Sequence, residues 1–333
     1  MEFTGGGRLE VRLTHADVGK RVSVRYVTDT GAPGERFTDA VGVLTSWDAG
    51  VLLITRRTGE GVRIAESSLV AGKVVPAAPA RRRGPAASFE ELARVTARAW
   101  QPVESEPLGE WTLRAAGGFT RRANSLLPLG GPGLPLDDAL ARVREWYAVR
   151  DLPAYIQTAT GAEGTQELLG AELERRGWRS EVAAEVRIGG LAPVGDLDAD
   201  VSAVRLSRSL DGSWLRRYNR SGVPGPHVLS VLSSGPSVWF ASVAGTGDIP
   251  AAIGRCVVDG RWAGFMAVEV DPAHRRQGLA TAVMAALARR ALDEGASAAW
   301  LQVEADNGGA RAMYEAMGFA VHHHYHHYRA AEE

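Results

Sequence analysis

A strand that runs into a tight turn and then a helix, at residues 265–281, constrains the fold of this chain more than any other feature. The apolar run Phe265–Val270 is followed by Asp271-Pro272 and then by Arg275-Arg276-Gln277-Gly278-Leu279-Ala280-Thr281. From Leu279 onward, apolar residues recur at spacings of three and four, which predicts an amphipathic helix. The first amides of a helix have no internal partner, and the helix dipole adds partial positive charge there. The segment is therefore suited to bind an anion.

The residue types in this turn fit a phosphate group. Gly278 lets a phosphate approach the backbone closely, and Ala280 keeps the next approach small. Arg275 and Arg276 supply cationic groups for a diphosphate or a 3′-phosphate. The segment contains neither G-x-G-x-x-G nor G-x-x-x-x-G-K-[ST], so neither a Rossmann nor a P-loop nucleotide site is indicated. The pattern that remains is R-x-x-G-x-A.

A second pattern follows downstream, after the predicted strand that ends at Glu304. It reads N-x-x-A-x-x-x-Y-x-x-x-G-F and consists of Asn307, Ala310, Tyr314 and Gly318-Phe319. In this order and at this distance, the two patterns resemble those of the Gcn5-related N-acetyltransferases, the GNAT family. The alternating helix and strand signals around them extend the resemblance to residues 201–329.

The resemblance implies an α/β (α+β) GNAT fold with a splayed central mixed sheet and acetyl-CoA as cosubstrate. In the family, acetyl-CoA lies where two parallel strands separate, and those strands are expected here at 265–270 and 299–303. Backbone groups of Val268 and Val270 are expected to hydrogen-bond the pantetheine arm as an added strand would. The other cofactor-binding residues that the resemblance implies are Arg275, Arg276, Gln277, Gly278, Leu279, Ala280, Thr281, Asn307 and Tyr314.

The resemblance also implies catalytic roles. Tyr314 matches the general acid that protonates the leaving thiolate, and a phenol with a pKa of ~10 is suited to that proton transfer. The alternative for Tyr314 is a core residue of an amphipathic helix, and Asn307 could also cap the helix that begins near Gly308. Glu269 and Glu304 are the acidic residues nearest the expected splay. They are candidate bases for the acceptor amine, or simply exposed strand residues.

The middle of the chain resembles a worn copy of the end. A shift of 141 residues brings Gly177-Trp178 under Gly318-Phe319, Leu173 under Tyr314 and Gln166 under Asn307. The loop at 130–135 has no arginine and no R-x-x-G-x-A. These features predict a degenerate GNAT-like half at 89–190, which does not bind the cofactor and helps shape the acceptor pocket. The acetyl-CoA-binding GNAT domain is expected at 200–330.

The N-terminal region has a different character. Short alternating runs separated by Gly and Asp turns predict a small β-barrel over residues 1–75, in an order similar to an SH3-like barrel. Residues 76–88 are rich in proline and contain Arg81-Arg82-Arg83, which predicts an extended linker, with contact to RNA, DNA or an acidic protein as the alternative. We call the degenerate half at 89–190 the worn half and the expected acetyl-CoA-binding domain at 200–330 the active half. The order of barrel, worn half and active half is similar to that of actinobacterial GNAT proteins described as histone-acetyltransferase-like.

Composition excludes several classes of protein. With 38 Lys and Arg against 39 Asp and Glu, the net charge is −1, so the bulk charge does not favour binding to nucleic acid. The single Cys256 excludes a disulfide scaffold. The first ten residues have no apolar core, and the uncharged stretch 221–247 is interrupted by proline and glycine. No signal peptide or membrane span is expected, which favours a cytoplasmic protein.

The sequence supports two functions of different classes. The first is an N-acetyltransferase that transfers acetyl from acetyl-CoA to a primary amine by direct attack in a ternary complex; the acceptor is a small molecule or a protein lysine, and an oligomer is compatible with the sequence. The alternative is a catalytically weak acetyl-CoA-sensing protein that regulates a partner through the barrel. Candidates to line the acceptor cleft are Arg216, Arg217, Tyr218, Asn219 and the run 121–124. The histidine-rich segment 322–327 predicts a final strand rather than a metal site.

Overall fold

A computed structural model describes residues 10–28, 36–76, 84–218, 225–245 and 247–331. The chain divides into two compact units. The first comprises residues 1–79 and 158–178, and the second comprises residues 80–157 and 179–333. The triple arginine at 81–83 and the candidate cleft residue Asn219 lie outside the described residues.

The first unit contains a five-stranded antiparallel sheet. Its strands are β1 (Arg21–Thr28), β2 (Arg36–Asp48), β3 (Val51–Arg56), β4 (Gly61–Ala65) and β5 (Leu69–Val74), in the order β4-β3-β2-β1-β5. Alternate residues of these strands, among them Val22, Val24 and Ile54, form its apolar core. The sequence predicts four of these strands and misses β5, where Gly72 and Lys73 interrupt the apolar pattern.

Residues 89–195 form the elements of the worn half and a short helix after it. They are α1 (Phe89–Arg98), β6 (Glu104–Leu108), β7 (Trp111–Ala115), β8 (Leu127–Pro128), α2 (Leu136–Ala148), β9 (Tyr155–Thr160), α3 (Glu167–Arg175), β10 (Arg179–Gly190) and α4 (Ala192–Gly195). Strand β8 is only two residues long, and Pro128 has no amide hydrogen with which to extend the ladder. Ser88 caps α1 by accepting from the amide of Glu91 at 3.1 Å.

From residue 237 onward the remaining elements follow the strand and helix signals of the sequence, and three short elements between 204 and 232 come before them without a predicted counterpart. Together these elements are β11 (Val204–Ser207), α5 (Gly212–Arg217), α6 (Pro226–Leu232), β12 (Ser237–Val243), β13 (Ala252–Asp259), β14 (Trp262–Val270), α7 (Leu279–Asp293), β15 (Ala298–Glu304), α8 (Gly308–Ala316) and β16 (Ala320–Arg329). The fold is mixed α/β, as the sequence predicts. The 141-residue shift recurs in the helix bounds: α3 spans 167–175, and α8 spans 308–316, each end 141 residues later.

The last strands of the two halves are interleaved in one mixed sheet. Its order is β11-β12-β13-β14-β15-β10-β16-β9, and β6, β7 and β8 form a separate small sheet. Strand β10 pairs antiparallel with β15, residues 184–190 lying opposite 298–304, and also with β16. The final strand of the worn half therefore lies between the last two strands of the active half.

Two apolar clusters cover opposite faces of this sheet. On one face, Val283 of α7 and Tyr314 of α8 pack with Leu301 of β15. On the other, Leu92 of α1 and Trp214 of α5 pack with Trp300 of β15 and its neighbours. Because successive strand residues point to opposite faces, the neighbours Trp300 and Leu301 belong to different clusters. These faces are named the α7 face and the α1 face.

Candidate functional site

The parallel strands β14 and β15 separate after a short pairing. They pair from Trp262 to Phe265, opposite Ala298 to Leu301, and no further pair joins them within the described residues. Strand β14 nevertheless continues to Val270 and β15 to Glu304. The backbone groups of 266–270 that face β15 are therefore available to another extended chain. This separation of β14 from β15 is the splay that the GNAT resemblance implies.

A β-bulge reshapes the separated end of β14. Met266 lies opposite Arg255 of β13, but Glu269 lies opposite Ile253, so the register shifts between them. Within the bulge, Ala267 has a φ of 51°, a left-handed value that residues other than glycine rarely adopt. The extra residue brings Met266 and Glu269 to the α1 face, while Val268 packs toward the α7 face. The sequence does not predict this bulge, because alanine at position 267 gives no sign of a left-handed backbone.

The turn after β14 leaves the N-terminus of α7 uncapped. Gly278 is the N-cap residue with a φ of 78°, and Arg276 also has a positive φ of 63°. No side chain caps the helix, and its first turn contains no acidic residue. The amides of Leu279, Ala280 and Thr281 therefore meet the requirements for binding an anion.

The equivalent helix of the worn half has the opposite electrostatics. Helix α2 begins after Pro135 and carries Asp137 and Asp138 in its first turn. Carboxylates at this end satisfy the helix dipole and repel a phosphate. The residues present fit a diphosphate at α7 and do not fit one at α2.

Side chains around the α7 turn divide into fixed and exposed ones. Asp271 accepts from the amide of Ala273 at 2.8 Å and forms an ion pair with Arg217. These interactions hold the pKa of Asp271 below its usual value, the Ala273 amide contributing most. Arg275, Arg276 and Gln277 are exposed. Neither arginine forms an ion pair with a described residue. They remain available to a ligand.

Asn307 is the N-cap residue of α8, and Tyr314 lies about two turns further along the same helix. The Asn307 side chain accepts from the amide of Ala310 at 3.1 Å, so the capping interpretation is correct. Tyr314 is 9% exposed and packs edge-on against Phe319, with ring centroids 6.1 Å apart. It belongs to the same cluster as the half-buried Val268 of the splayed strand. Tyr314 is thus a core residue next to the expected cofactor path, and its catalytic role stays a prediction.

Glu269 and Glu304 lie on the same face of the sheet. The bulge directs Glu269, which is half-buried, toward the α1 face. The exposed Glu304 shares that face with Gln302 and Trp300, because alternate residues of a strand point the same way. The structure therefore brings both candidate bases to one side of the splay, whereas Tyr314 lies on the other.

A buried ion-pair network fixes α8 to the interleaved strand. Glu185 of β10 accepts from Arg187 at 2.6 Å and pairs with Arg311 of α8 at 2.8 Å. Burial alone would raise the pKa of Glu185, but the hydrogen bonds from the two arginines outweigh it and hold the pKa below its ordinary value. Arg311 lies one turn before Tyr314, so a residue of the worn half holds the helix of the active half. The sequence pattern does not reveal this pairing.

Two other residue types noted in the sequence are deeply buried. Burial raises the pKa of the Cys256 thiol to about 12, which makes it a poor nucleophile at neutral pH. Strand β16 buries His323, His324, His326 and His327. The described residues contain no group of three or more His, Cys, Asp or Glu side chains arranged for a metal ion. Among those residues there is also no helix of the length and apolarity that crossing a bilayer requires.

Comparison with known proteins identifies relatives of both regions. Residues 86–328 match the family model described as "Probable histone acetyltransferase Rv0428c C-terminal", and residues 16–73 match the "Rv0428c N-terminal Sm-like domain". The predicted N-terminal β domain is present, and the matched model describes it as Sm-like rather than SH3-like. Probable histone acetyltransferase Rv0428c of Mycobacterium tuberculosis is 29% identical over 308 residues, which cover 92% of this chain and 93% of that protein.

More distant relatives share the fold or a segment. The [ribosomal protein bS18]-alanine N-acetyltransferase of Escherichia coli K12 is 40% identical over 52 residues, 16% of this chain and 35% of that enzyme. A GCN5-related N-acetyltransferase from Kribbella flavida has a TM-score of 0.52 at 16% identity, covering 72% of this chain and 96% of that one. A tandem GNAT protein from the clavulanic acid biosynthesis pathway has a TM-score of 0.52 at 14% identity, covering 75% and 90%.

The two structural likenesses establish the fold alone, because sequences less than 25% identical to this one carry no conclusion about function. The family model spans well over half of the chain, from the beginning of the worn half to the last strand. With its splayed β14 and β15, uncapped α7 and N-terminal Sm-like domain, the chain belongs to the Rv0428c family of GNAT-fold acetyltransferases.

Proposed function

We propose that this protein is an acetyl-CoA-dependent N-acetyltransferase that transfers acetyl to a primary amine by direct attack in a ternary complex. The observation that carries the proposal is the separation of β14 from β15 beside the uncapped N-terminus of α7. An extended pantetheine arm fits the first feature and a diphosphate fits the second. Proteins related to this chain are named for histone and for ribosomal-protein acetylation; the acceptor here is proposed only as a small-molecule amine or a protein lysine.

In this proposal, the cosubstrate is held by backbone groups along β14 and the α7 turn. Val268 and Val270 hydrogen-bond the pantetheine arm. The amides of Arg276, Gly278, Ala280 and Thr281 hold the diphosphate, and the Arg275 and Arg276 side chains neutralise its charge. The remaining residues proposed to contact acetyl-CoA are Gln277, Leu279, Asn307 and Tyr314.

The chemistry needs two proton transfers. Glu269 or Glu304 accepts a proton from the acceptor amine, whose nitrogen forms a bond to the acetyl carbon. The carbon–sulfur bond breaks, and Tyr314 donates a proton to the departing thiolate. Backbone amides of β14 polarise the acetyl carbonyl, and the ordered geometry supplies much of the rate. Cys256 takes no part, because its thiol is buried and protonated.

Titration calorimetry with acetyl-CoA tests the site. We expect wild type to bind and Gly278→Trp to lose binding, because the indole fills the space above the turn where the diphosphate lies. Gly295→Trp is the matched control: both glycines have a positive φ, 78° and 89°, and neither has an atom within 4 Å of an added Cβ. Backbone strain is thus comparable at the two ends of α7. A folded wild type that binds no acetyl-CoA, or equal loss of binding in both variants, would contradict the proposed site.

A further inference from the structure

Arg122 differs from the other residues that the sequence offers for the acceptor cleft. Arg121 pairs with Glu181 at 3.2 Å, Arg216 donates to the carbonyl of Asp248 at 3.0 Å, and Arg217 donates to that of Pro250 at 2.7 Å. Asn124 accepts from two backbone amides, and Asn219 lies outside the described residues. The Arg122 guanidinium makes no hydrogen bond or ion pair with any residue in the described ranges.

The surroundings of Arg122 are aromatic and positively charged. Its guanidinium carbon lies 5.6 Å from the Trp100 ring and 5.8 Å from the Tyr325 ring, and its side chain is half-buried. A second guanidinium, that of Arg255, lies 5.1 Å from the Trp100 ring and is fully buried. Arg255 donates to main-chain carbonyls, including that of Ala99 at 3.0 Å, and not to a carboxylate. Two cations thus meet at Trp100 with no described counter-ion in contact.

Buried polar atoms near this cluster also have no partners. His327 is 2% exposed, its ring lies 5.5 Å from that of Tyr325, and neither of its ring nitrogens has a hydrogen-bond partner among the described residues. The same is true of Trp100 Nε1, of Arg122 Nε and, elsewhere on this face, of Gln302 Oε1. Folded proteins pair almost all their buried polar groups with protein, water or a ligand, so this concentration indicates a site where a bound molecule supplies the partners.

The cluster lies on the α1 face, with the two candidate bases. Tyr325 is opposite Ala184 of β10, and Ala184 is opposite Glu304 of β15. Side chains directly opposite each other on paired strands share a face, so Tyr325 and Glu304 point the same way. Arg255 also contacts the Met266 sulfur at 3.1 Å, at the edge of the bulge that carries Glu269. The unpaired cation therefore lies on the acceptor side of the splay.

We infer that Arg122 binds an acidic group of the acceptor, so that the acceptor is a primary amine that carries a carboxylate. The inference rests on the proposed function. A guanidinium presents two parallel N–H groups that match a carboxylate, and the rings of Trp100 and Tyr325 can cover the carbon skeleton between acid and amine. A carboxylate balances the single charge of Arg122, whereas a phosphate monoester carries nearly twice that charge.

The test compares amines in matched pairs that differ by a carboxylate: 4-aminobutyrate with propylamine, phenylalanine with phenethylamine, and lysine with cadaverine. We expect a higher kcat/KM for the acid of at least one pair. Arg122→Met keeps the packing on both rings and removes the charge. It should lower kcat/KM for that acid by about tenfold or more, the loss of ~1.4 kcal/mol or more, and leave that of its partner amine unchanged. Arg121→Met, next in sequence and already ion-paired, is the control and should keep the preference. Equal rates within every pair, or a preference that persists in Arg122→Met, overturns the inference.

A binding measurement covers the case in which no panel amine reacts. Butyrate is titrated into the protein saturated with CoA, which occupies the α7 turn. Saturable binding that Arg122→Met abolishes and Arg121→Met retains supports the inference; no saturable binding overturns it. Inorganic phosphate that binds in place of butyrate overturns the carboxylate assignment. If Arg122 only packs on its rings, Arg122→Met changes thermal stability and not butyrate binding, which also overturns it. Failure of wild type to bind acetyl-CoA, measured separately, would instead contradict the proposed function.

Discussion

Tyr314 combines a packing position with the position expected of a general acid. It is buried against Phe319 in the cluster that includes the splayed strand. Tyr314→Phe keeps the ring and removes only the hydroxyl group, so we expect acetyl-CoA binding to persist. Turnover should fall about a hundredfold, since a positioned general acid contributes roughly that factor. Steady-state rates and calorimetry on the same preparation measure the two effects.

The result also separates the two functional classes that the sequence supports. Unchanged turnover in Tyr314→Phe would remove the proposed acid, and no measurable turnover in a wild type that binds acetyl-CoA would favour the sensing protein. A matched control is Tyr147→Phe in the worn half. That hydroxyl group donates to the carbonyl of Arg114 at 2.9 Å, so its loss should lower stability and not turnover.

Single residues were predictable where the backbone requires a particular type. Gly278 has the positive φ that its position in R-x-x-G-x-A requires, and Asn307 caps the helix that its motif predicts. Ala267 adopts a positive φ without being glycine, so no pattern marks the bulge. Arg121 and Arg122 are adjacent and identical in type, yet one is paired and the other is not. That difference depends on which strands become neighbours, which local sequence does not specify.

Strand β16 predicts how stability depends on pH. Burial, with a smaller contribution from His324, lowers the pKa of His326 to about 4, whereas the unfolded chain has the ordinary value of about 6.5. Between these values the unfolded state binds more protons, so the free energy of unfolding falls as pH falls. From pH 7 to pH 5 this one histidine should remove about 2 kcal/mol.

Urea unfolding of wild type and His326→Gln at pH 7 and pH 5 isolates this contribution, because other titrating groups cancel in the difference. The variant should lose less stability on acidification than wild type does. His227→Gln, at an exposed position on α6, is the control and should follow wild type. If His326→Gln and wild type lost the same stability between pH 7 and pH 5, burial would not be lowering the pKa of His326.

Elements were predictable where capping and periodicity agree. The bounds of α1, α7 and α8 follow the Ser88, Gly278 and Asn307 signals within two residues, and the 141-residue shift recurs in α3 and α8. Glu91 stands three residues after Ser88, the spacing of a capping box, but its carboxylate accepts from the Trp262 indole at 2.8 Å. The partner lies 171 positions away, and such contacts decide what a side chain does after local propensity has placed it.

At the scale of the whole molecule, strand order was the least predictable feature. The sequence predicts a worn half at 89–190 and an active domain at 200–330, but β10 of the first lies between β15 and β16 of the second. Hydrophobic alternation specifies which face of a strand is buried, not which strand is its neighbour. We propose that residues 89–157 and 179–330 fold as one body, in which β10 supplies both a strand and the Glu185 anchor for α8.

This arrangement predicts that residues 199–333 do not fold alone. Without β10, residues 298–304 of β15 lose their antiparallel partner, β16 loses its own, and Arg311 loses its buried carboxylate. Unpaired strand edges with apolar faces favour aggregation. We expect residues 199–333 expressed alone to aggregate or to unfold without cooperativity. Residues 1–198 produced in the same cell should restore a complex that binds acetyl-CoA, because the chain is cut next to the exposed Asp198. A soluble 199–333 that melts cooperatively and binds acetyl-CoA would show that the interleaved strand is dispensable, and the active half would then be a domain in its own right.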